Sequence, residues 1–240
     1  MYIDNGNYLI LEELLQYNVS IIYMDRNFGD AKTIDKEYMK SVFNINDKEI
    51  ISGYQTHGTN IEIIKNNEKI YFENTDGFIT DMNNVALFTK YADCLPIFLF
   101  DKKKKVIGVV HSGWLGTYDN IGSIAVNLLT KHYNSKIEDI IVIFGIGISC
   151  ENYEVSKEFL EKFKNKFSAD IINKSFFYKN NKIYFDNQKF NYFTFLEKGI
   201  LIKNIITNNL CTFGNNRFFS HRRENTNPRR NGAIIFFNTK

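Results

Sequence analysis

The sequence predicts an α+β protein with one domain, spanning residues 1 to 240. Short runs of β-branched and aromatic residues crowd the middle of the chain, and stretches with helical spacing lie mainly after them. The two kinds of segment do not alternate regularly, so we expect no Rossmann sheet. Only two prolines occur, and no Gly/Ser-rich linker divides the chain.

The central strands are predicted from runs of β-branched and aromatic residues at 61–65, 78–80, 85–89, 95–100 and 106–111. Four lysines, residues 102 to 105, separate the last two runs and are expected to form a solvated hairpin turn. The polar stretch 225–231 is expected to be a surface loop.

Helical spacing of apolar residues predicts a helix over 119–133, with Asp119 as its cap. The wholly apolar run 140–148 predicts a buried strand. The remaining predicted elements are helices over 155–167 and 188–198 and strands over 202–207 and 233–237.

The balance of charges gives no reason to expect nucleic-acid binding. Thirty basic and 27 acidic residues give a net charge of +3. No apolar stretch reaches the ~20 residues of a membrane span. The first residues include early acids and have no basic flank before their apolar part, unlike a signal peptide, so we expect a cytoplasmic protein with no membrane partner.

Three cysteines at wide spacings do not form a disulfide framework. In a reduced compartment, a cysteine is available for metal binding or catalysis.

His57, Cys94 and His111 are the candidate metal ligands. Each histidine stands beside small residues at a predicted strand end, which leaves room for an ion. Two imidazoles and a thiolate suit zinc, and three protein ligands leave a fourth position open. Singly, each has an ordinary explanation as a turn histidine or a core cysteine, and the spacings form no local metal motif.

Several motifs occur in an order that resembles a known family. They are QTHG at 55–58, DGFIT at 76–80, ADCLP at 92–96, HSGWLGT at 111–117, GIGISCENYEV at 145–155 and LCTFGNNRFFSHRR at 210–223. Together they resemble the family once called multicopper polyphenol oxidases, or laccase-like proteins. Its members are now regarded as purine nucleoside enzymes.

The resemblance implies mixed sheets packed between helices, in a sandwich grouped with the cysteine hydrolases. It implies zinc held by His57, Cys94 and His111. It also implies a purine nucleoside phosphorylase that cleaves adenosine, inosine, guanosine and methylthioadenosine with phosphate and deaminates adenosine. Zinc-activated hydroxide attacking purine C6 is coherent with the second reaction.

Other residues in these motifs are candidates for contacts around the metal. Arg222 and Arg223 are candidate anion ligands, because a guanidinium matches phosphate oxygens, although ordinary ion pairing explains either of them equally well. Asp93 is a candidate acid or base, or the partner that orients a histidine. Gln55 and Ser220 are candidate substrate contacts.

The chain departs from the family pattern at two places. Leu115 stands where many members have arginine, and Arg229-Arg230 replaces a glycine-arginine pair. These departures concern substrate range and turnover, and they leave the three candidate ligands intact.

Three alternatives remain open. A metal-free cysteine hydrolase would use Cys94 as nucleophile with His111 or His57 as base. Copper-dependent phenol oxidation is disfavoured, because four histidines are too few for a multicopper centre. The third alternative is a non-catalytic metal-binding module. The oligomeric state stays open.

Overall fold

The computed structural model describes residues 2–225 and 229–239. Its strands are short runs of β-branched and aromatic residues. In chain order they are β1 (Tyr2–Asp4), β2 (Tyr8–Leu11), β3 (Val19–Met24), β4 (Glu49–Gly53), β5 (Ile61–Ile64), β6 (Tyr71–Phe72), β7 (Gly77–Thr80), β8 (Val85–Tyr91), β9 (Leu95–Asp101), β10 (Val106–Ser112), β11 (Ile140–Phe144), β12 (Glu154–Val155), β13 (Phe176–Lys179), β14 (Lys182–Phe185), β15 (Ile205–Ile206) and β16 (Asn231–Phe237).

The helices lie mainly in the second half of the chain, as predicted. Several begin at residues whose side chains accept a backbone N–H, such as Ser156 and Ser168. In chain order they are α1 (Lys36–Phe43), α2 (Trp114–Tyr118), α3 (Ile121–Tyr133), α4 (Lys157–Lys164), α5 (Ala169–Ser175), α6 (Asn187–Glu197) and α7 (His221–Glu224).

The strands form sheets of mixed direction. A seven-stranded sheet has the order β1-β2-β3-β16-β8-β4-β6, and a six-stranded sheet has the order β15-β11-β9-β10-β7-β5. Most pairs are antiparallel, but β4 runs parallel to β8 and β5 runs parallel to β7. The third sheet has the order β12-β14-β13. The α+β class with mixed sheets is therefore confirmed.

The two large sheets pack face to face, and helices cover their outer faces. Because successive strand residues point to opposite faces, Phe98 and Phe100 of β9 enter the core between the sheets. Ile97 and Leu99 of the same strand pack on the other face against α3 and α6. The seven-stranded sheet likewise buries its outer face beneath α1. This layering is the predicted sandwich of sheets between helices.

A separate aromatic core holds the third sheet to α4, α5 and α6. Phe163 lies at its centre, with its ring centroid 5.2 Å from those of Phe185 and Phe190. Edge-on and tilted ring contacts of this kind add to the stabilisation from apolar burial. The same cluster supports Trp114 and Tyr153, which reach the candidate site.

The structure corrects the predicted cap at Asp119. The short helix α2 ends there, and α3 begins after Asn120, whose φ of 61° makes the turn between the two helices. Asparagine adopts this left-handed conformation more readily than most residues, which explains the shift of the cap by one position.

Two predicted strands are shorter than expected. β11 ends at Phe144, opposite Ile97, because the next partner position is Pro96, which has no N–H to donate. The segment 202–207 begins with a 3-10 turn and contributes only β15. The lysine turn between β9 and β10 is confirmed.

The predicted loop 225–231 is only partly comparable with the structure. Residues 226–228 lie outside the described residues. Asn231 is fully buried as the first residue of β16, because its side chain bonds the backbone of Phe219 and Tyr91. Among the helices of the described segments, none is long and apolar enough to cross a membrane.

Candidate metal centre and its cavity

His57, Cys94 and His111 meet in the structure, and we call them the ligand triad. Their ligand atoms all lie within 4.8 Å of one another. The pairing of β9 with β10 sets His111 opposite Pro96, two residues after Cys94. His57 reaches the cluster from the loop after β4. Segments that are distant in sequence therefore converge on a group that could hold a metal ion.

Asp76 organises both sides of the ligand triad. Its Oδ1 lies 2.8 Å from Nδ1 of His111, which leaves Nε2 as the ring nitrogen that the carboxylate does not engage. Its two oxygens also accept the backbone N–H groups of Thr56, His57 and Gly58 at 2.9–3.1 Å. Such a carboxylate fixes the orientation of a metal-binding imidazole.

The backbone at His57 is held in an uncommon conformation. Its φ is 64°, in the left-handed region that residues with a Cβ rarely occupy. The three N–H bonds to Asp76 stabilise this turn. Strained backbone of this kind concentrates at functional sites.

Gly113 leaves space for the triad. A Cβ at this position would lie 2.9 Å from Cδ2 of His57 and 3.2 Å from Sγ of Cys94. The φ of Gly113 is −69°, so the glycine is needed here for room rather than for backbone freedom. The HSG sequence therefore keeps the space between two ligands clear.

The triad favours a thiolate. Burial opposes ionisation of Cys94, but the positive charge of His111 and hydrogen bonds from both histidines outweigh it and lower its pKa to about 6. Burial also opposes the charged form of His111, yet the Cys94 thiolate and Asp76 raise its pKa to about 9. Without metal, the pair at neutral pH is a thiolate beside an imidazolium. A bound metal would replace the imidazole proton.

The ligand triad lines a cavity of about 870 Å³, large enough for a nucleoside-sized ligand. The rest of its lining is mostly aromatic, polar or positively charged, with one acid and a few small or apolar residues: Lys32, Tyr54, Gln55, Thr56, Lys90, Ala92, Asp93, Gly113, Trp114, Ile148, Tyr153, Asn187, His221, Arg222 and Arg230.

Asp93 faces this cavity but is bonded to the C-terminal part of the chain. Its oxygens accept the hydroxyls of Thr212 and Ser220 at 2.6 and 3.0 Å and the backbone N–H of Arg222 at 2.6 Å. Its φ is 80°, a second left-handed residue beside the triad. The carboxylate that bonds a triad histidine is Asp76 rather than Asp93.

The structure separates the two predicted arginines. Arg222 lines the cavity, where its guanidinium lies 5.4 Å from the Tyr153 ring centroid and donates to the carbonyl of Glu154. Arg223 is absent from the cavity lining in the described residues. Its guanidinium donates to the backbone carbonyls of Thr212 and Phe213. These contacts indicate a structural role for Arg223.

Gln55 and Ser220 both have internal partners. The Gln55 amide bonds the backbone N–H and carbonyl of Lys90, each at 2.9 Å, at the edge of the cavity. Ser220 is fully buried, bonds Asp93 and caps α7. Leu115, the departure from the family pattern, lies on α2 and is not part of the described cavity lining.

Asp76, Lys90, Trp114 and Tyr153 belong to the site but were not predicted as site residues from the sequence. The DGFIT motif contains Asp76, and an acid directly before a buried strand was the available signal. Trp114 and Tyr153 stand inside two of the quoted motifs, but their place in the cavity wall depends on how the third sheet is placed.

The chain is similar to known proteins over most of its length. A family model described as multi-copper polyphenol oxidoreductase laccase matches residues 24–238. The chain is 35% identical over 217 residues to a Borreliella burgdorferi protein named purine nucleoside phosphorylase, covering 85% of this chain and 91% of that one. It is 28% identical over 206 residues to purine nucleoside phosphorylase YlmD of Bacillus subtilis, covering 81% and 73%.

A solved structure shares the fold. The hypothetical protein YfiH of Bacillus licheniformis superimposes with a TM-score of 0.89 over 98% of both chains, at 22% sequence identity. At this identity the likeness concerns the fold alone, and it agrees with the layered α+β architecture.

Proposed function

The chain belongs to the family of multi-copper polyphenol oxidoreductase laccases, and on this premise we propose that it is a zinc-dependent purine nucleoside phosphorylase with adenosine deaminase activity. Its proposed substrates are adenosine, inosine, guanosine and methylthioadenosine, together with phosphate. The observation that carries the proposal is the ligand triad in the wall of a nucleoside-sized cavity.

The donor set supports zinc. Two imidazoles and one thiolate with an open fourth position form a catalytic zinc site of a known type. The Nε2 of His111, which Asp76 does not engage, the low pKa of Cys94 and the space at Gly113 all fit an ion at this position. A multicopper centre would need more imidazoles than the chain's four histidines supply.

The cavity lining supports a nucleoside and an anion. Trp114 and Tyr153 offer aromatic surfaces against which a purine can stack. Arg222 places a guanidinium beside Tyr153, where it can meet a phosphate or a ribose hydroxyl. For Arg223 and Ser220 the contacts support a structural role, and for Gln55 they support positioning of Lys90.

In the proposed mechanism, the protein orients the reactants and bound zinc supplies Lewis-acid chemistry that makes water a nucleophile at neutral pH. A proton on Nδ1 of His111, bonded to Asp76, would leave Nε2 available to hold the ion. Phosphorolysis breaks the bond between ribose C1′ and the purine nitrogen and joins C1′ to a phosphate oxygen. We assign Asp93 to positioning, because it joins the loop of Cys94 to α7.

Chromatography of the reaction products tests the proposal. The purified protein is incubated with adenosine, with and without phosphate, and adenine, inosine and hypoxanthine are separated. We expect adenine only with phosphate and inosine in both reactions, with zinc near one per chain by elemental analysis. No product from any purine nucleoside would refute the proposal. The Cys94→Ala variant separates turnover from simple metal storage.

The Cys94–His111–Asp76 arrangement favours a second candidate function, a metal-free cysteine hydrolase. A thiolate beside an imidazolium that a carboxylate orients is a nucleophile–base arrangement. Chelation discriminates between the candidates. Activity that is lost with zinc and restored by zinc excludes the hydrolase, whereas activity that survives complete zinc removal favours it.

A further inference from the structure

Besides Arg222, three cationic side chains line the same cavity as the ligand triad: Lys32, Lys90 and Arg230. We call them the cation cluster. They come from separate segments, namely the loop before α1, the strand β8 and the residue before β16. Antiparallel pairing sets Gly232 of β16 opposite Lys90, which places Arg230 near the lysine.

Asp30 holds two members of the cluster in place. Its Oδ1 accepts the backbone N–H of Lys32 at 3.1 Å and that of Arg230 at 2.9 Å. The N–H of Ala31 also donates to the carbonyl of Arg230 at 2.9 Å. These bonds join the loop of Lys32 to the start of β16, so the two cations share a fixed backbone frame.

Lys90 is fixed from the other side. The Gln55 amide bonds its backbone N–H and carbonyl, and its Nζ donates to the carbonyl of Gly53 at 3.0 Å. Burial is the main cause that lowers the pKa of Lys90, and the positive charges of Lys32 and Arg230 lower it further. Within residues 2–225 and 229–239, neither lysine forms an ion pair with a carboxylate. The cavity therefore concentrates positive charge that an anion would neutralise.

We propose that Lys32, Lys90 and Arg230 form the subsite for a phosphate group in this cavity. The inference deepens the proposed function and rests on it, with inorganic phosphate as the source of the group. A phosphate oxygen bonded here attacks ribose C1′ as the bond from C1′ to the purine nitrogen breaks. The electron pair leaves with the purine, and the proton of hydrogenphosphate ends on that purine. Asp30 and Gln55 act as positioning residues.

Steady-state kinetics of Lys32→Gln and Lys90→Gln test the subsite. Phosphate is varied at saturating adenosine, and phosphate-independent deamination is followed in parallel. We expect KM for phosphate to rise about tenfold or more, because a charge-assisted contact is lost. We expect KM for adenosine and the deamination rate to change by less than about twofold. Lys131→Gln, on an exposed position of α3, is the matched control.

The outcomes separate this subsite from the proposed function. Unchanged KM for phosphate in both folded variants overturns the subsite. AMP is also tested as a substrate. If the substitutions raise only the KM for AMP, the assignment of the subsite to inorganic phosphate is overturned. If the wild type shows no phosphorolysis, the proposed function fails, and calorimetric binding of inorganic phosphate to wild type and Lys32→Gln decides the subsite alone. Equal affinities then overturn it, and an approximately tenfold weaker variant supports it. Lys32 is exposed and its side chain has no described structural partner. Lys32→Gln is therefore expected to fold, and it tests the subsite even if Lys90→Gln does not fold.

Discussion

Asp76 and His111 form a buried pair in which the carboxylate oxygen lies 2.8 Å from the imidazole Nδ1. Both side chains are nearly excluded from solvent, at 0% and 4% exposure. The same carboxylate also accepts the N–H groups around His57. One buried acid thus fixes two of the three proposed metal ligands.

Replacement of Asp76 by asparagine is expected to weaken zinc binding by about 10- to 100-fold. The variant keeps the shape of the side chain but replaces one acceptor oxygen with an NH₂ group. Depending on which oxygen is replaced, either His111 and the His57 N–H or the N–H groups of Thr56 and Gly58 lose their acceptor. Competition with a chromophoric chelator measures the affinity. Asp81→Asn is the control, because Asp81 is an exposed acid paired with Lys65. Equal affinities in wild type and Asp76→Asn would contradict this role.

The Gly113→Ala variant is expected to lose zinc affinity on the order of tenfold while it keeps its fold. The new methyl group would displace the His57 ring or the Cys94 sulfur, since both lie within 3.2 Å of it. Zinc content and thermal unfolding are measured together. Gly58→Ala is a close control, because its Cβ would meet no atom nearer than 3.5 Å. If Gly113→Ala retains full affinity, the triad tolerates more crowding than the structure indicates.

The fold could be predicted largely because its signals are local. Runs of β-branched and aromatic residues made β8, β9 and β10 recognisable, and all three strands are buried almost throughout. Serine caps agree with the helices α4 and α5. The cap at Asp119 was wrong because α2, only five residues long, carries too little periodicity to be recognised. The end of β11 depends on Pro96 of another strand, which no local pattern of β11 can show.

The candidate site, like the fold, could be predicted from the sequence only where its signals are local. The motifs indicated the ligand triad, and its two histidines stand beside small residues at strand ends. Asp76, Lys90 and Arg230 could not be assigned from the chain alone, because their roles come from strand pairing across distant segments. Arg222 and Arg223 are adjacent in sequence, yet one faces the cavity and the other bonds backbone carbonyls. Side-chain direction at a helix start decides between them.

Cys94 of the metal-free protein is expected to react with iodoacetamide with a midpoint near pH 6, set by its lowered pKa. The thiolate dominates above this pH, and the reaction slows as the pH falls below it. Burial and nearby acids raise the pKa of Cys150 to about 12, so that cysteine should stay unmodified at neutral pH. Peptide mass spectrometry at several pH values measures both sites. Zinc should protect Cys94, and a midpoint above pH 8 would contradict the ion pair with His111.

Asp93→Ala is expected to destabilise the protein and to leave the form of the pH–rate profile unchanged. The fully buried hydroxyls of Thr212 and Ser220 would lose their acceptor, which costs about 1–3 kcal/mol for each unsatisfied group. Chemical unfolding measures the stability, and kcat/KM for adenosine across pH measures the chemistry. Asp93→Asn, which keeps an acceptor oxygen, should recover part of the lost stability. If Asp93 transferred a proton instead, both variants would lose one limb of the profile, and the asparagine would rescue stability without rescuing rate.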